Sequence, residues 1–161
     1  MDALFQTQSN ELSTTTQKEK LFKDAERQWN TLSTEKGAPG RKVDFEIYKS
    51  ILYNLEIRKV VYLDSKLSLE KFSSIVGTNT TYLSNAVNNY FGCNFKRLIN
   101  SYRVVRAKEL LDGKDCPVNE LFSRCGFASK SVFYVAFRKV VGMTPLQYIS
   151  QSRNPFMIQR N

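Results

Sequence analysis

The alternation of apolar and polar positions divides the chain into helices of two kinds. In "TTTQKEKLFKDAERQWNTL", Leu21, Phe22, Ala25, Trp29 and Leu32 recur at helical spacing and form an apolar strip. Such a helix either stands free or packs on a partner or on its own core. "EKGAPGRK" (35–42) is the Gly/Pro cluster that reads as a linker. Beyond it, Phe45, Tyr48, Ile51, Leu52, Leu55 and Val60 predict a second amphipathic helix, with Asp44 as its N-cap. From residue 68 the helices shorten. Ser68 caps "LEKFSSIV" before Gly77, and Thr78 or Asn79 caps "TTYLSNAVNNYF" before Gly92. A long helix, "NFKRLINSYRVVRAKELLDG", follows. Pro117 is placed to open "VNELFSRC", Ser129 to cap "KSVFYVAFRKVV" before Gly142, and Pro145 to start a last helix. No segment alternates as a strand does, so the expected fold class is all-α.

The short helices repeat. Gly77 matches Gly126 at an offset of 49, whereas Leu83, Val87, Gly92 and Ile99 match Phe133, Phe137, Gly142 and Ile149 at an offset of 50. Each copy is a helix, a glycine turn, a second helix, a second glycine and a third helix. Two helices joined by such a turn make a helix-turn-helix, whose second member is shaped for the DNA major groove. A helical solenoid is the competing explanation, but two copies are too few and the long helix joins them without repeating. In the first copy Leu83, Val87, Tyr90 and Phe91 form the core stripe, leaving Thr80, Thr81, Ser84, Asn85 and Asn88 outside. In the second, Phe133, Phe137 and either Val140 or Val141 face the core, with Lys130, Ser131, Tyr134 and Arg138 opposite. Neither 78–94 nor 126–144 contains an Asp or Glu. A solvated helix ordinarily mixes both signs, whereas a face turned to phosphate must shed its carboxylates. A continuous helix over 94–111 would extend about 27 Å, close to the ~34 Å between successive major grooves on one side of B-DNA.

Charge sharpens this picture. Residues 1–65 hold ten Lys/Arg against ten Asp/Glu, and residues 66–161 hold fourteen against five, so the whole surplus of nine lies in the second part. A surplus confined to one segment suggests a polyanionic partner, nucleic acid or an anionic membrane face; a merely basic domain is the bland alternative. No apolar run is long enough to span a bilayer, and the start lacks a signal-peptide pattern, which points to a cytoplasmic protein. The chain has no histidine, and its three cysteines, Cys93, Cys116 and Cys125, form no C-x-x-C pair. A zinc site would therefore lack a fourth soft ligand, and buried thiols are expected instead. Without histidine, a paired-carboxylate constellation or a nucleophile motif, no enzyme is read here, and no cofactor is implied.

The residues Leu67, Thr78, Tyr82, Leu83, Ser84, Phe91, Gly92, Phe95, Asn100, Tyr102, Arg103, Ala107, Leu110 and Leu111, followed by "GF-x-S-x-S-x-F…F-x-K…G-x-T-P…Y" from Gly126 to Tyr148, carry a resemblance. Residues 67–149 resemble the DNA-binding domain of AraC/XylS bacterial transcription factors, in a form similar to regulators of Bacteroidetes-type bacteria. The resemblance implies two helix-turn-helix subdomains joined by a long linker helix and preceded here by N-terminal helices. It implies double-stranded DNA as partner, read in successive major grooves by Thr80, Thr81, Ser84 and Asn85 and then by Lys130, Ser131 and Tyr134. Asn88 shares the first face, and Arg138 and Lys96 suit phosphates. Arg103 on the linker helix is as well suited to organising nearby carbonyls. Val135 and Ala136 depart from the family's polar or basic residues at their positions, and Val135 suits either a thymine methyl or a weak second head.

The implied organisation is an N-terminal extension and linker over 1–42, a leading helix over 43–66, the double domain over 67–153 and a tail over 154–161. The first 65 residues are too few and too helical for the β-barrel sugar sensor of well-known relatives. The chain is thus either a short stand-alone regulator or the output end of a longer sensor. An interaction module that meets an RNA polymerase subunit or a sensor kinase, with incidental DNA affinity, is the alternative function. Oligomeric state, operator and inducing signal are not legible.

Overall fold

The structure, a computed structural model, describes residues 3–35, 42–113 and 116–153. Residues 36–41 of the linker expected at 35–42, and the tail at 154–161, lie outside them. Among the described residues every regular element is helical: α1 (Ala3–Glu35), α2 (Lys42–Leu52), α3 (Val60–Leu63), α4 (Leu69–Val76), α5 (Thr80–Phe91), α6 (Phe95–Asp112), α7 (Leu121–Arg124), α8 (Lys130–Val141) and α9 (Pro145–Arg153). None is long and apolar enough to cross a membrane. The chain divides into two compact units: the described residues of Met1–Val61 with Ser68–Cys93, and of Tyr62–Leu67 with Asn94–Asn161.

In the first unit α1 is folded onto the core. The expected strip is the contact: Ala25 and Trp29 are buried, with Leu21 packed beside them. Trp29 stacks against Phe45, Tyr48 and Tyr90 at centroid distances of 5.5, 5.6 and 4.7 Å. Tyr48 also touches Phe91, at 5.5 Å, and its hydroxyl donates to Gln28 Oε1 at 2.8 Å. Aromatic contacts of this kind add about 0.5–1.5 kcal/mol each beyond area burial. They tie α1 to the last turn of α5. Asp44 lies in the first turn of α2 and is not its N-cap, because the helix already begins at Lys42. Its carboxylate still favours the helix N-terminus and lies beside Tyr90, whose pKa is raised by burial first and by Asp44 second.

The apolar stripe of α2 holds through Ile51, Leu52 and Leu55, all buried, but fails at Val60, which is 63% exposed. After Leu52 the helix widens into a π turn over Tyr53–Ile57, and Lys59 adopts a left-handed φ of 49°. The wider turn shifts the helical phase, so Val61 and Tyr62 are buried in place of Val60.

The second unit is built on α6, α7, α8 and α9. Val104, Ala107, Leu121, Cys125, Phe127, Phe133 and Phe137 form its core. Val141 completes the α8 stripe, and Val140 is exposed. The expected helix from Pro117 is shorter than its sequence suggests: Pro117–Glu120 is a turn, closed by Glu120 N–H donating to Pro117 O, and α7 starts at Leu121. Glu120, in the N-cap position, makes no side-chain capping hydrogen bond. Arg103 is buried on α6 and structural. Its Nε donates to Tyr62 O at 2.6 Å and its Nη2 to Asp64 O at 2.8 Å, while its guanidinium lies 5.5 Å from the centre of the Phe127 ring. Beside this clamp sits Gly126, at a φ of 79°. A Cβ on Gly126 would lie 2.6 Å from the carbonyl oxygens of both Tyr62 and Leu63.

Candidate nucleic-acid interface

Helices α5 and α8 are built alike, within different units. Each has 12 residues, a polar N-cap and a left-handed glycine at its C-terminus. Asn79 Oδ1 accepts the Tyr82 N–H at 2.8 Å, and Ser129 Oγ accepts the Val132 N–H at 3.3 Å. Gly92 and Gly142 then stop the helices with φ of 65° and 83°. The next helix starts in the same register. Asn94 Oδ1 accepts from Arg97 N–H at 2.9 Å at the start of α6. Thr144 and Gln147 form a reciprocal capping box at the start of α9: Gln147 N–H donates to Thr144 Oγ1, and Thr144 N–H to Gln147 Oε1. The inserted residue belongs to the turn before α8. Gly77 and Asn79 are separated by one residue, Gly126 and Ser129 by two, and the longer turn carries Phe127 into the core.

At 100° per residue the two helices present matching faces. On α5, Leu83, Ala86 and Val87 are buried, which leaves Thr81, Asn85 and Asn88 exposed at the centre of the opposite face. Thr80 and Ser84 are half-buried on its flank. On α8, Phe133, Ala136 and Phe137 are buried, and Ser131, Val135 and Arg138 occupy the places of Thr81, Asn85 and Asn88. Ala136 therefore belongs to the core and is not available to a ligand. Tyr134 lies on the flank, half-buried in an edge contact with Phe133. Lys130 is exposed on that flank, its Nζ 5.7 Å from the centre of the Tyr134 ring. Of Lys130, Ser131, Tyr134 and Arg138, which the sequence set opposite the core, Ser131 and Arg138 lie there together with Val135, while Lys130 and Tyr134 lie on the flank. Lys96 is exposed in the first turn of α6, next to the equally exposed Arg97.

The electrostatics of these surfaces are one-signed. Lys130, Arg138 and Lys139 on α8, and Lys96 and Arg97 on α6, have no carboxylate partner among the described residues. By contrast Arg106 pairs with Glu109 at 3.0 Å and Arg124 with Glu120 at 3.1 Å. Unneutralised cations beside acid-free helices can meet phosphate without first breaking an ion pair. The cysteines take no part. Cys116 and Cys125 are buried, Cys93 is half-buried, and burial pushes the Cys125 thiol up to about 12.

A family model for a helix-turn-helix domain matches residues 72–151. Over 91 residues the chain is 31% identical to the transcriptional activator RhaR of Enterobacter sp. (strain 638), covering 56% of this chain and 32% of that protein. Against the regulatory protein PocR of Salmonella typhimurium it is 33% identical over 94 residues, covering 56% and 31%. The chain thus spans about a third of the length of these relatives. Among solved structures, the C-terminal domain of AraT, a response regulator from Geobacillus stearothermophilus, is similar with a TM-score of 0.57 and 26% identity, over 66% of this chain and 84% of that one. The DNA-binding domain of AdpA, solved with a target DNA, shares the fold with a TM-score of 0.57 at 20% identity, over 68% of this chain and 96% of that one. With paired helix-turn-helix units, a domain model that matches residues 72–151 and relatives of this kind, that segment is a helix-turn-helix domain of the AraC type.

Proposed function

We propose that this chain binds double-stranded DNA sequence-specifically to regulate transcription, with α5 and α8 entering successive major grooves. The observation that carries the reading is the pair of matched, acid-free helix faces, each held between a polar cap and a left-handed glycine. Thr81, Asn85 and Asn88 on α5, flanked by Thr80 and Ser84, supply hydrogen-bonding groups for base edges. Asparagine can bond adenine N6 and N7 together. On α8, Ser131 faces bases, Arg138 and Lys130 meet bases or phosphates, and Tyr134 packs beside the backbone. Lys96 is a phosphate contact at the start of α6. Base contacts set sequence preference, whereas phosphate contacts set affinity and its salt dependence.

Fluorescence anisotropy against fragments chosen from random duplexes, at rising salt, tests this. Affinity should fall steeply with salt, and each phosphate contact removed should reduce the slope of log K against log [salt] by about 0.9. Asn85→Ala should relax base preference at one position and cost about 1–3 kcal/mol there. Lys96→Ala should weaken all sequences alike. Binding indifferent to both salt and sequence would overturn the proposal.

A further inference from the structure

Asn85 and Val135 stand at the same place in the repeat, at the centre of the face opposite the core on α5 and α8. Asn85 is a donor and an acceptor. Val135 is neither, yet it is 58% exposed, and Val132, one turn away, is 43% exposed. The core of the second unit is complete without them, filled by Phe133, Ala136 and Phe137. Arg138 and Lys139 lie one turn from Val135 on α8, and no acid lies between Gly126 and Thr144. A surface so charged fits an anionic duplex. Within a major groove a side chain lacking polar atoms has one feature to read, the C5 methyl of thymine. Valine is well suited to that task, because its χ1 is nearly fixed in a helix and its two methyls are presented without further ordering.

We propose that Val135 is a specificity residue of the second head, selecting thymine by methyl contact where Asn85 in the first head selects by hydrogen bonds. The proposal rests on the reading that α8 enters the major groove. The two halves of the site then differ in kind: one is defined by base-edge polarity, the other by a methyl group.

Uracil substitution isolates this contact, since deoxyuridine lacks only that methyl. A duplex enriched from random sequence by the full chain is remade with each thymine replaced in turn, and affinities are measured for wild type and Val135→Ala. Asn85→Ala identifies the half read by α5. In the other half, at least one thymine-to-uracil change should weaken wild type about fourfold, the value of one buried methyl, and should leave Val135→Ala unaffected. Val135 is exposed, so its replacement leaves the core intact, and circular dichroism checks that it does. Wild type indifferent to every uracil in that half, or Val135→Ala retaining the full effect, overturns the proposal while leaving DNA recognition standing. Self-association lost on Val135→Ala, together with indifference to uracil, assigns the valines to a second copy of the chain and also overturns it. Failure to enrich any sequence overturns the functional reading and this inference together.

Discussion

Replacing Gly126 by alanine should destabilise the protein several times more than the same change at Gly142. Both glycines are left-handed, with φ of 79° and 83°, so both substitutions incur the backbone cost of about 1–2 kcal/mol. Alanine's lower entropy in the unfolded chain offsets roughly 0.4–1 kcal/mol of that, leaving about 1 kcal/mol for Gly142→Ala. A Cβ on Gly142 meets nothing within 4 Å. On Gly126 it meets the Tyr62 and Leu63 carbonyl oxygens at 2.6 Å, and both are backbone atoms. That backbone cannot yield freely, because Arg103 holds the Tyr62 and Asp64 carbonyls at 2.6 and 2.8 Å. Displacing it disturbs hydrogen bonds to a charged donor worth about 1.5–3 kcal/mol each. A total of about 3–5 kcal/mol follows for Gly126→Ala, in the range reserved for steric and network disruption. Urea titration of the full chain, followed by helical circular dichroism, compares the two variants by midpoint. With a slope of about 1–3 kcal/mol per molar, Gly126→Ala should lower the midpoint by a molar or more relative to Gly142→Ala. Equal midpoints would refute the reasoning, since they would mean that the close approach costs nothing.

Other consequences can be checked with the same protein. Trp29, the sole tryptophan, stands among Phe45, Tyr48 and Tyr90, so Trp29→Ala should cost about 3–5 kcal/mol, measured by the same titration. The Cys125 pKa near 12 stands above its ordinary value, so its contribution is fully present at neutral pH. Above about pH 9 it should be lost at up to about 1.4 kcal/mol per pH unit until about pH 12. Stability of wild type against Cys125→Ala across that range measures the difference. The raised pKa values of Tyr48, Tyr90 and Tyr148 add losses of the same sign at higher pH. Tyr148→Phe removes the bond from α9 to Asp112, at 3.0 Å, and should cost about 1 kcal/mol by thermal or urea unfolding.

What the sequence disclosed was mostly local. Ser68, Asn79, Ser129 and the stretch after Gly142 are legible as helix boundaries because a cap acts over three residues. The repeat was legible because it recurs at a nearly fixed offset. Val60 was misplaced because a π turn changes the phase of the stripe without any proline or glycine to announce it. Tyr134 was set opposite a stripe drawn through Phe133 and Phe137 alone, and Ala136 was read only against the family's polar residues; stepping 100° per residue from Phe133 puts Ala136 inside and Tyr134 at the edge. Whether α1 stood free or folded back could not be read. Its answer depends on Trp29 meeting Tyr90, 61 positions away, and no local pattern encodes that pairing.

The hexapeptide Tyr62–Leu67 belongs to the second unit, though sequence of the first unit lies on both sides of it. No uninterrupted stretch of gene therefore encodes the second unit. A fragment beginning at Asn94 would retain the Arg103 guanidinium but lack the carbonyls that receive it, and the recess at Gly126 would stand empty. The paired motifs look like beads in the sequence, yet they are threaded so that neither can be cut away whole.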